Sequence, residues 1–177
     1  MIPKFKKILF PTDLSEHARY SFQYATSIAA LSNASIVILH VMGDDPPENT
    51  RNMLSVFLGS EKMRELDEKQ HEHAESARDI LIGKRREADV VRDALGVFCE
   101  DVKNQLQQQD IPADEIIVKK GDPVTEIFAT VKKYGCDLII MGHGKYNVFA
   151  EAVIGSTTKS VLKKSRIPVL VIPTPKK

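Results

Sequence analysis

Three short clusters hold the residue types from which a ligand site could be built: Pro11-Thr12-Asp13, Gly142-His143-Gly144-Lys145 and Gly155-Ser156-Thr157. Glycine lets backbone amides approach a bound group closely. Gly155-Ser156-Thr157 at a helix start would add unpaired N–H groups, hydroxyls and the positive end of the helix dipole. That combination is an anion cradle. The same residues have a purely structural reading, in which Gly142 and Gly144 turn the chain and Ser156 caps a helix. Asp13 is equally double: it offers a carboxylate to a ligand, yet Asp13 with Glu16, or Ser15 alone, can cap the helix that follows. Spacing alone leaves both readings open.

Other reactive side chains fit chemistry less well. Histidines two apart on a helix point to different sides, and no third ligand is spaced to join His71-Glu72-His73, so its charged surroundings read as a solvated face. His17 and His40 read as packed or surface residues rather than catalysts. Cys99 and Cys136 are the only cysteines and form no metal or redox pair, which fits free, unreactive thiols in a reducing compartment. Gly144-Lys145-Tyr146 lacks the magnesium-binding hydroxyl and the preceding glycine of a P-loop. The dinucleotide pattern Gly-x-Gly-x-x-Gly is missing after the first apolar run, so no redox cofactor is implied. No Gly-x-Ser-x-Gly elbow occurs either. No catalytic residue is assigned.

The elements that must position these clusters alternate short apolar runs with helical periods, the signature of an α/β architecture. Lys7–Pro11 reads as a strand, followed by a helix in which Ala18, Phe22, Ala25 and Ala29 share a face and Tyr20 and Tyr24 are core or half-core. Ser35–Met42 is apolar on both parities, as a central strand buried on both faces should be. From about 47 to 112 the chain turns charged and helical. Two stripes, Met63 to Leu81 and Val91 to Leu106, predict two helices separated by Gly83-Lys84-Arg85-Arg86. A crossover needs far fewer residues, so this region is read as a helical insert. Strands follow at Glu115–Lys119 and Asp137–Met141, with a helix between them opened by Asp122 as N-cap and Pro123 in its first turn. A final helix buries Val161 and Leu162, and Ile167–Ile172 is the last strand.

The chain has 177 residues, 42% apolar and 28% charged, with a formal net charge of +1. That is enough to bury a core without disulfides or metals, and it fits one domain over 1–177 with the insert inside it. Near-neutral charge excludes a general nucleic-acid or anionic-membrane binder. No apolar run approaches the ~18 residues that would span a bilayer, and Ile8-Leu9-Phe10 after the basic start is too short for a signal peptide. A soluble, cytoplasmic protein is expected.

Taken together, Lys7-Ile8-Leu9-Phe10-Pro11-Thr12-Asp13-Leu14-Ser15, Leu39-His40-Val41, Gly121-Asp122-Pro123, Asp137-Leu138-Ile139-Ile140-Met141-Gly142 and Gly155-Ser156 through Pro168-Val169-Leu170-Val171-Ile172 resemble the universal stress protein family over nearly the whole chain. The resemblance implies a five-stranded parallel sheet of order 3-2-1-4-5 with helices on both faces. It also implies an ATP site, with or without magnesium. Adenine and ribose would meet Pro11, Thr12, Asp13, Val41, Met141 and Gly142, phosphates would meet Gly144, Lys145, Gly155, Ser156 and Thr157, and His143 counts among the cofactor-binding residues. The Gly142 to Gly155 spacing agrees with the family's ATP-binding branch. The middle glycine stands one position early, with Lys145 in its usual place, where an ammonium can supply charge to phosphates.

The resemblance further implies a homodimer through Ile167–Ile172. A bare apolar edge strand must in any case be paired or covered, and the helical insert is the alternative cover. The expected function is that of an adenine-nucleotide switch in the stress response, with a protein partner that the sequence does not name. Two alternatives stay open: a member without nucleotide binding that acts by protein contacts, and a slow ATPase or adenylyl- or phosphoryl-transfer enzyme.

Overall fold

The computed structural model describes residues 4–43, 47–73, 87–105, 113–143 and 154–173. Five strands, β1 (Lys7–Thr12), β2 (Ser35–Met42), β3 (Ala113–Lys120), β4 (Leu138–Gly142) and β5 (Val169–Ile172), form one parallel sheet ordered β3-β2-β1-β4-β5. The helices are α1 (Glu16–Ser32), α2 (Pro47–Leu58), α3 (Ser60–His73), α4 (Glu87–Gln105), α5 (Pro123–Tyr134) and α6 (Ser156–Lys164).

Strand parity divides the core. Ile8, Phe10, Ile36, Ile38, Leu138 and Ile140 face α1, α2 and α4, whereas Leu9, Val37, Leu39, Ile139 and Met141 face α5 and α6. The two-sided burial expected of β2 is present, and helices cover both faces. On the first face the rings of Phe10, Phe22, Phe98 and Phe57 form a chain with centroid separations of 5.1, 5.2 and 4.5 Å. It runs from β1 through α1 and α4 to α2. Arg19 reinforces the junction: its Nη1 donates to the Phe57 carbonyl at 2.9 Å, and its guanidinium lies 5.6 Å from the Phe98 ring centre.

Between β2 and β3 the periodicity predicts two helices, but three stand among the described residues. The additional one is α2, whose inward residues Leu54, Phe57 and Leu58 keep helical spacing but make a stripe of little more than one turn, with the apolar yet exposed Val56 among them. Gly59, at φ 88°, breaks it from α3, a backbone conformation that favours glycine. Ala74, Ala77, Leu81 and Leu106 lie outside the described residues.

Three other expectations need correction. Tyr24 is 42% exposed, because α1 turns its small residues to the sheet and leaves Tyr24 outside, its hydroxyl 2.7 Å from that of Tyr20. Leu162 is 44% exposed, since Thr158 and Val161 take the inward face of the nine-residue α6. β5 begins at Val169 rather than Ile167. Ser165 folds the preceding residues into a tight turn, its Oγ donating to the Ile167 carbonyl at 2.7 Å and accepting the Ile167 N–H at 3.2 Å.

Cys99 and Cys136 are free and buried, and burial pushes their thiols up to about 12 and about 11. Both therefore stay protonated and inert at neutral pH.

Among the described histidine side chains, His40 is the buried one. Its Nδ1 lies 2.9 Å from the carbonyl oxygen of Thr12, its register partner on β1. Burial lowers its pKa from the usual 6.5, opposed by the Thr12 bond and by the charges of Asp13 and Glu87. The unfolded chain therefore binds this proton more readily than the folded one. The stability that the neutral ring contributes is complete above about pH 6.5 and is lost as pH falls through the lowered folded value.

Two outcomes are expected. Phe98→Ala, which removes the ring linking α1, α2 and α4, should cost about 3–5 kcal/mol in urea denaturation, whereas Phe98→Leu should cost clearly less. Melting temperature followed from pH 7 to pH 5 should fall more steeply in the natural protein than in His40→Asn. Parallel pH profiles would show that His40 does not titrate with unfolding.

Candidate functional site

The order β3-β2-β1-β4-β5 places β1 at the point where the connections reverse, from β1 to β2 and β3 on one side to β4 and β5 on the other. The helices must diverge there, and a crevice opens beyond the carboxyl ends of β1 and β4. The crevice holds a cavity of about 520 Å³. Pro11, Thr12 and Asp13 reach it from β1 and its turn, Val41 from β2, Met141 and Gly142 from β4, and Gly155, Ser156 and Thr157 from the start of α6. Nine of the residues expected at a site therefore surround one space.

His143 is placed differently. Its N–H donates to the Ile172 carbonyl at 2.9 Å, and its own carbonyl accepts from the Gly155 N–H at 2.9 Å. It ties β4 to β5 and to the start of α6, and it is not among the residues around the cavity. Gly144 and Lys145 lie outside the described residues.

Several walls escaped the sequence reading. Leu39 stands two residues before Val41 and so points to the same side, a relation that strand parity could have supplied. Pro123 and Ile127 are four apart on α5 and form the opposite apolar wall. Thr158 could have been read from neither pattern. It is 3% exposed, and its Oγ1 donates to the Gly142 carbonyl at 3.2 Å, tying α6 to the tip of β4.

The turn after β1 is a strained one. Leu14 has φ 58°, a left-handed conformation that costs a residue with a Cβ roughly 1–2 kcal/mol. Its side chain is 2% exposed in the core, and such burial is worth about 1.5–3 kcal/mol, so packing holds the turn. The Leu14 N–H donates to Thr12 Oγ1 at 3.2 Å. Asp13 Oδ1 accepts from the Ser15 N–H at 3.1 Å and from Ser15 Oγ at 2.6 Å. Ser15 is the N-cap of α1, its side chain accepting from the Ala18 N–H at 3.2 Å. Asp13 does not cap α1 itself. It is held by the cap, and its Oδ2 has no partner among the described residues.

The helix starts differ in electrostatics. α1 has the Ser15 cap and Glu16 in its first turn. α5 has Asp122, whose Oδ1 accepts from the Thr125 Oγ1 at 2.7 Å and the Thr125 N–H at 2.8 Å, bonds that hold its carboxyl below the ordinary range. At α6 the N-cap position falls on Gly155 rather than Ser156, with no side-chain cap and no acidic residue in the first turn. Among the described residues nothing compensates its first N–H groups and dipole beside the cavity.

Gly142 has a packing reason of its own. A Cβ there would stand 3.1 Å from Ser21 Oγ, which donates to the His17 carbonyl at 2.9 Å. Glycine thus lets α1 lie close against the tip of β4. A second cavity, of about 600 Å³, lies on the other face of the same sheet end between the β1–α1 turn and α2, lined by Leu14, His40, Met42, Thr50 and Met53 among others. Among the described residues no cluster of three metal-binding side chains occurs, and no helix is long and apolar enough to cross a membrane.

The family model described as "Universal stress protein family" matches residues 4–173. The universal stress protein MJ0577 of Methanocaldococcus jannaschii is 32% identical over 169 residues, which cover 95% of this chain and 94% of that protein. A solved structure of MJ0577 superposes with TM-score 0.60 at 26% identity, covering 99% of this chain and 100% of the other. A universal stress protein solved in complex with cAMP is alike in fold, with TM-score 0.59 at 18% identity and coverages of 98% and 100%. Matched from one edge of its sheet to the other, the chain belongs to the universal stress protein family.

Proposed function

We propose that this protein binds ATP, or another adenine nucleotide, in the crevice between β1 and β4 and serves the stress response as a homodimeric switch. Occupancy of the crevice would change its shape or its choice of protein partner. The observation that carries the reading is the bare start of α6 beside a cavity of about 520 Å³. Uncapped N–H groups and an uncompensated dipole are suited to phosphate, and the starts of α1 and α5, which also border this cavity, are already capped.

The rest of the cavity suits the remainder of a nucleotide. Leu39, Val41, Ile127 and Met141 offer an apolar slot to a purine. Asp13, with Oδ1 held by Ser15, keeps Oδ2 for a ribose hydroxyl. Gly155, Ser156 and Thr157 would take the phosphates, and Gly144 and Lys145 would complete that side, the lysine adding positive charge to any magnesium the phosphates bring. The complex of a fold relative with cAMP supports a nucleotide in this architecture.

The dimer reading rests on the opposite edge of the sheet from the insert. β5 pairs with β4 on one side only, while Leu170 is 36% exposed and Leu162 44% exposed near it. The packed residues of α2 and α4 belong to the α1 face and to β3, at the far edge. A second copy of β5 would cover this edge.

Mg-ATP at a hundredfold excess over its dissociation constant should stabilise the protein by about 2.7 kcal/mol, a rise of about 5–10 °C in melting temperature. Gly155→Asp would place a carboxylate cap on α6. It should leave ligand-free stability unchanged or a few tenths of a kcal/mol higher while abolishing the ATP shift. No shift in the natural protein would defeat the nucleotide reading, and a full shift in Gly155→Asp would defeat this placement of the phosphates. Sedimentation should give a dimer for the natural protein and a monomer for Leu170→Lys. A natural monomer would rule out self-pairing through β5.

A further inference from the structure

Beyond the residues around the nucleotide cavity, we propose that His40 is a positioning residue for it: through one hydrogen bond to the last residue of β1, it fixes the turn that presents Asp13. The inference rests on the nucleotide reading above for its functional consequence, and on the geometry of the turn for the rest.

His40 is 6% exposed and belongs to the face of β2 turned away from the cavity of about 520 Å³. Direct contact with a ligand there is not its role. Its Nδ1 is 2.9 Å from the Thr12 carbonyl oxygen. A carbonyl only accepts, so the bond itself sets the tautomer: Nδ1 carries the proton and Nε2 is the free acceptor. Nε2 has no hydrogen-bond partner among the described residues, and the ring borders the second cavity, where water can reach it. The Nδ1 bond is therefore the polar contact that settles how the ring sits.

Thr12 is the end of β1, and Thr12 and His40 are the last pair in the β1–β2 register. Immediately beyond, Leu14 takes its left-handed conformation and the chain enters α1. On the helix side the turn is pinned by Ser15, which donates twice to Asp13. On the strand side it is pinned by His40. A turn carrying backbone strain is held in one shape only while its surroundings over-determine it, and the imidazole supplies that second anchor from a strand that does not itself enter the turn. Losing it would leave a buried carbonyl without this donor and Asp13 with a choice of positions.

Two variants separate positioning from mere packing. His40→Asn keeps an N–H donor close to where Nδ1 stands, whereas His40→Leu keeps the volume and removes the donor. ATP affinity by calorimetry at pH 7.5 should weaken about tenfold or more in His40→Leu and return to within about threefold of the natural value in His40→Asn. In the ligand-free proteins, hydrogen exchange of the Leu14 amide, which bonds Thr12 Oγ1, should speed up about tenfold in the leucine variant and recover in the asparagine variant. If the leucine variant does not fold, His40→Gln replaces it, since its amide extends toward the Nε2 position instead.

Unchanged affinity and exchange in the donor-less variant would overturn the inference. So would equal impairment of both variants, which marks a packing effect. Failure of the natural protein to bind ATP at millimolar concentration would overturn the nucleotide reading instead. In that case the exchange result still decides whether His40 fixes the turn, rescue supporting it and indifference refuting it.

Discussion

The burial of β1 on both faces is the constraint from which the rest of this molecule follows. Ile8 and Phe10 are sealed beneath α1, and Leu9 is sealed beneath α5 and α6. A strand covered on both sides must sit inside the sheet, and here it sits where the crossovers change direction. Its carboxyl tip reaches the cavity, Pro11 half-buried and Thr12 still buried there. Pro11, Thr12 and Asp13 therefore emerge into a crevice that the topology has already opened, and their chemistry is a consequence of where the strand stops.

That crevice is asymmetric in charge. One wall carries carboxylate at Asp13, and the other carries the bare amino end of α6, so a ligand spanning the two needs a donor at one end and an anion at the other. The floor between them is apolar. An isolated phosphate would leave that floor unused, and an apolar molecule would leave the helix start unsatisfied. A ligand with both parts would use the whole arrangement, and that is the physical content of the nucleotide proposal.

Much of the architecture was legible because it rests on patterns that one segment carries by itself. The two-parity run Ser35–Met42 announced a central strand, and Asp122-Pro123 announced a helix start at the residue where α5 begins. What depended on a neighbour was not legible. Tyr24 and Leu162 have the composition of core residues, but small residues and threonine on the same helices occupy the inward positions. Helix α2 carries a stripe of little more than one turn, Leu54, Phe57 and Leu58, blurred by the exposed Met53 and Val56, and the elements that bury it, α1 and α4, are remote in sequence. The site divided the same way. Glycine and Asp13 could be picked out by type, and Leu39 and Ile127 follow from strand parity and helical spacing, whereas Thr158 acquires its place only when α6 meets β4.

Gly142 illustrates why residue type alone could not choose between a structural and a ligand-binding role. Its missing Cβ admits Ser21 from α1, its carbonyl accepts from Thr158 on α6, and its backbone borders the cavity. The close approach of α1 and the seating of α6 against β4 are thus made at one residue, and both bear on the width of the crevice. A side chain at this position would push against Ser21 before it met any ligand. The packing role and the proposed binding role therefore make a single requirement: the helix start can face the cavity only if the strand tip leaves room for the helices on either side of it.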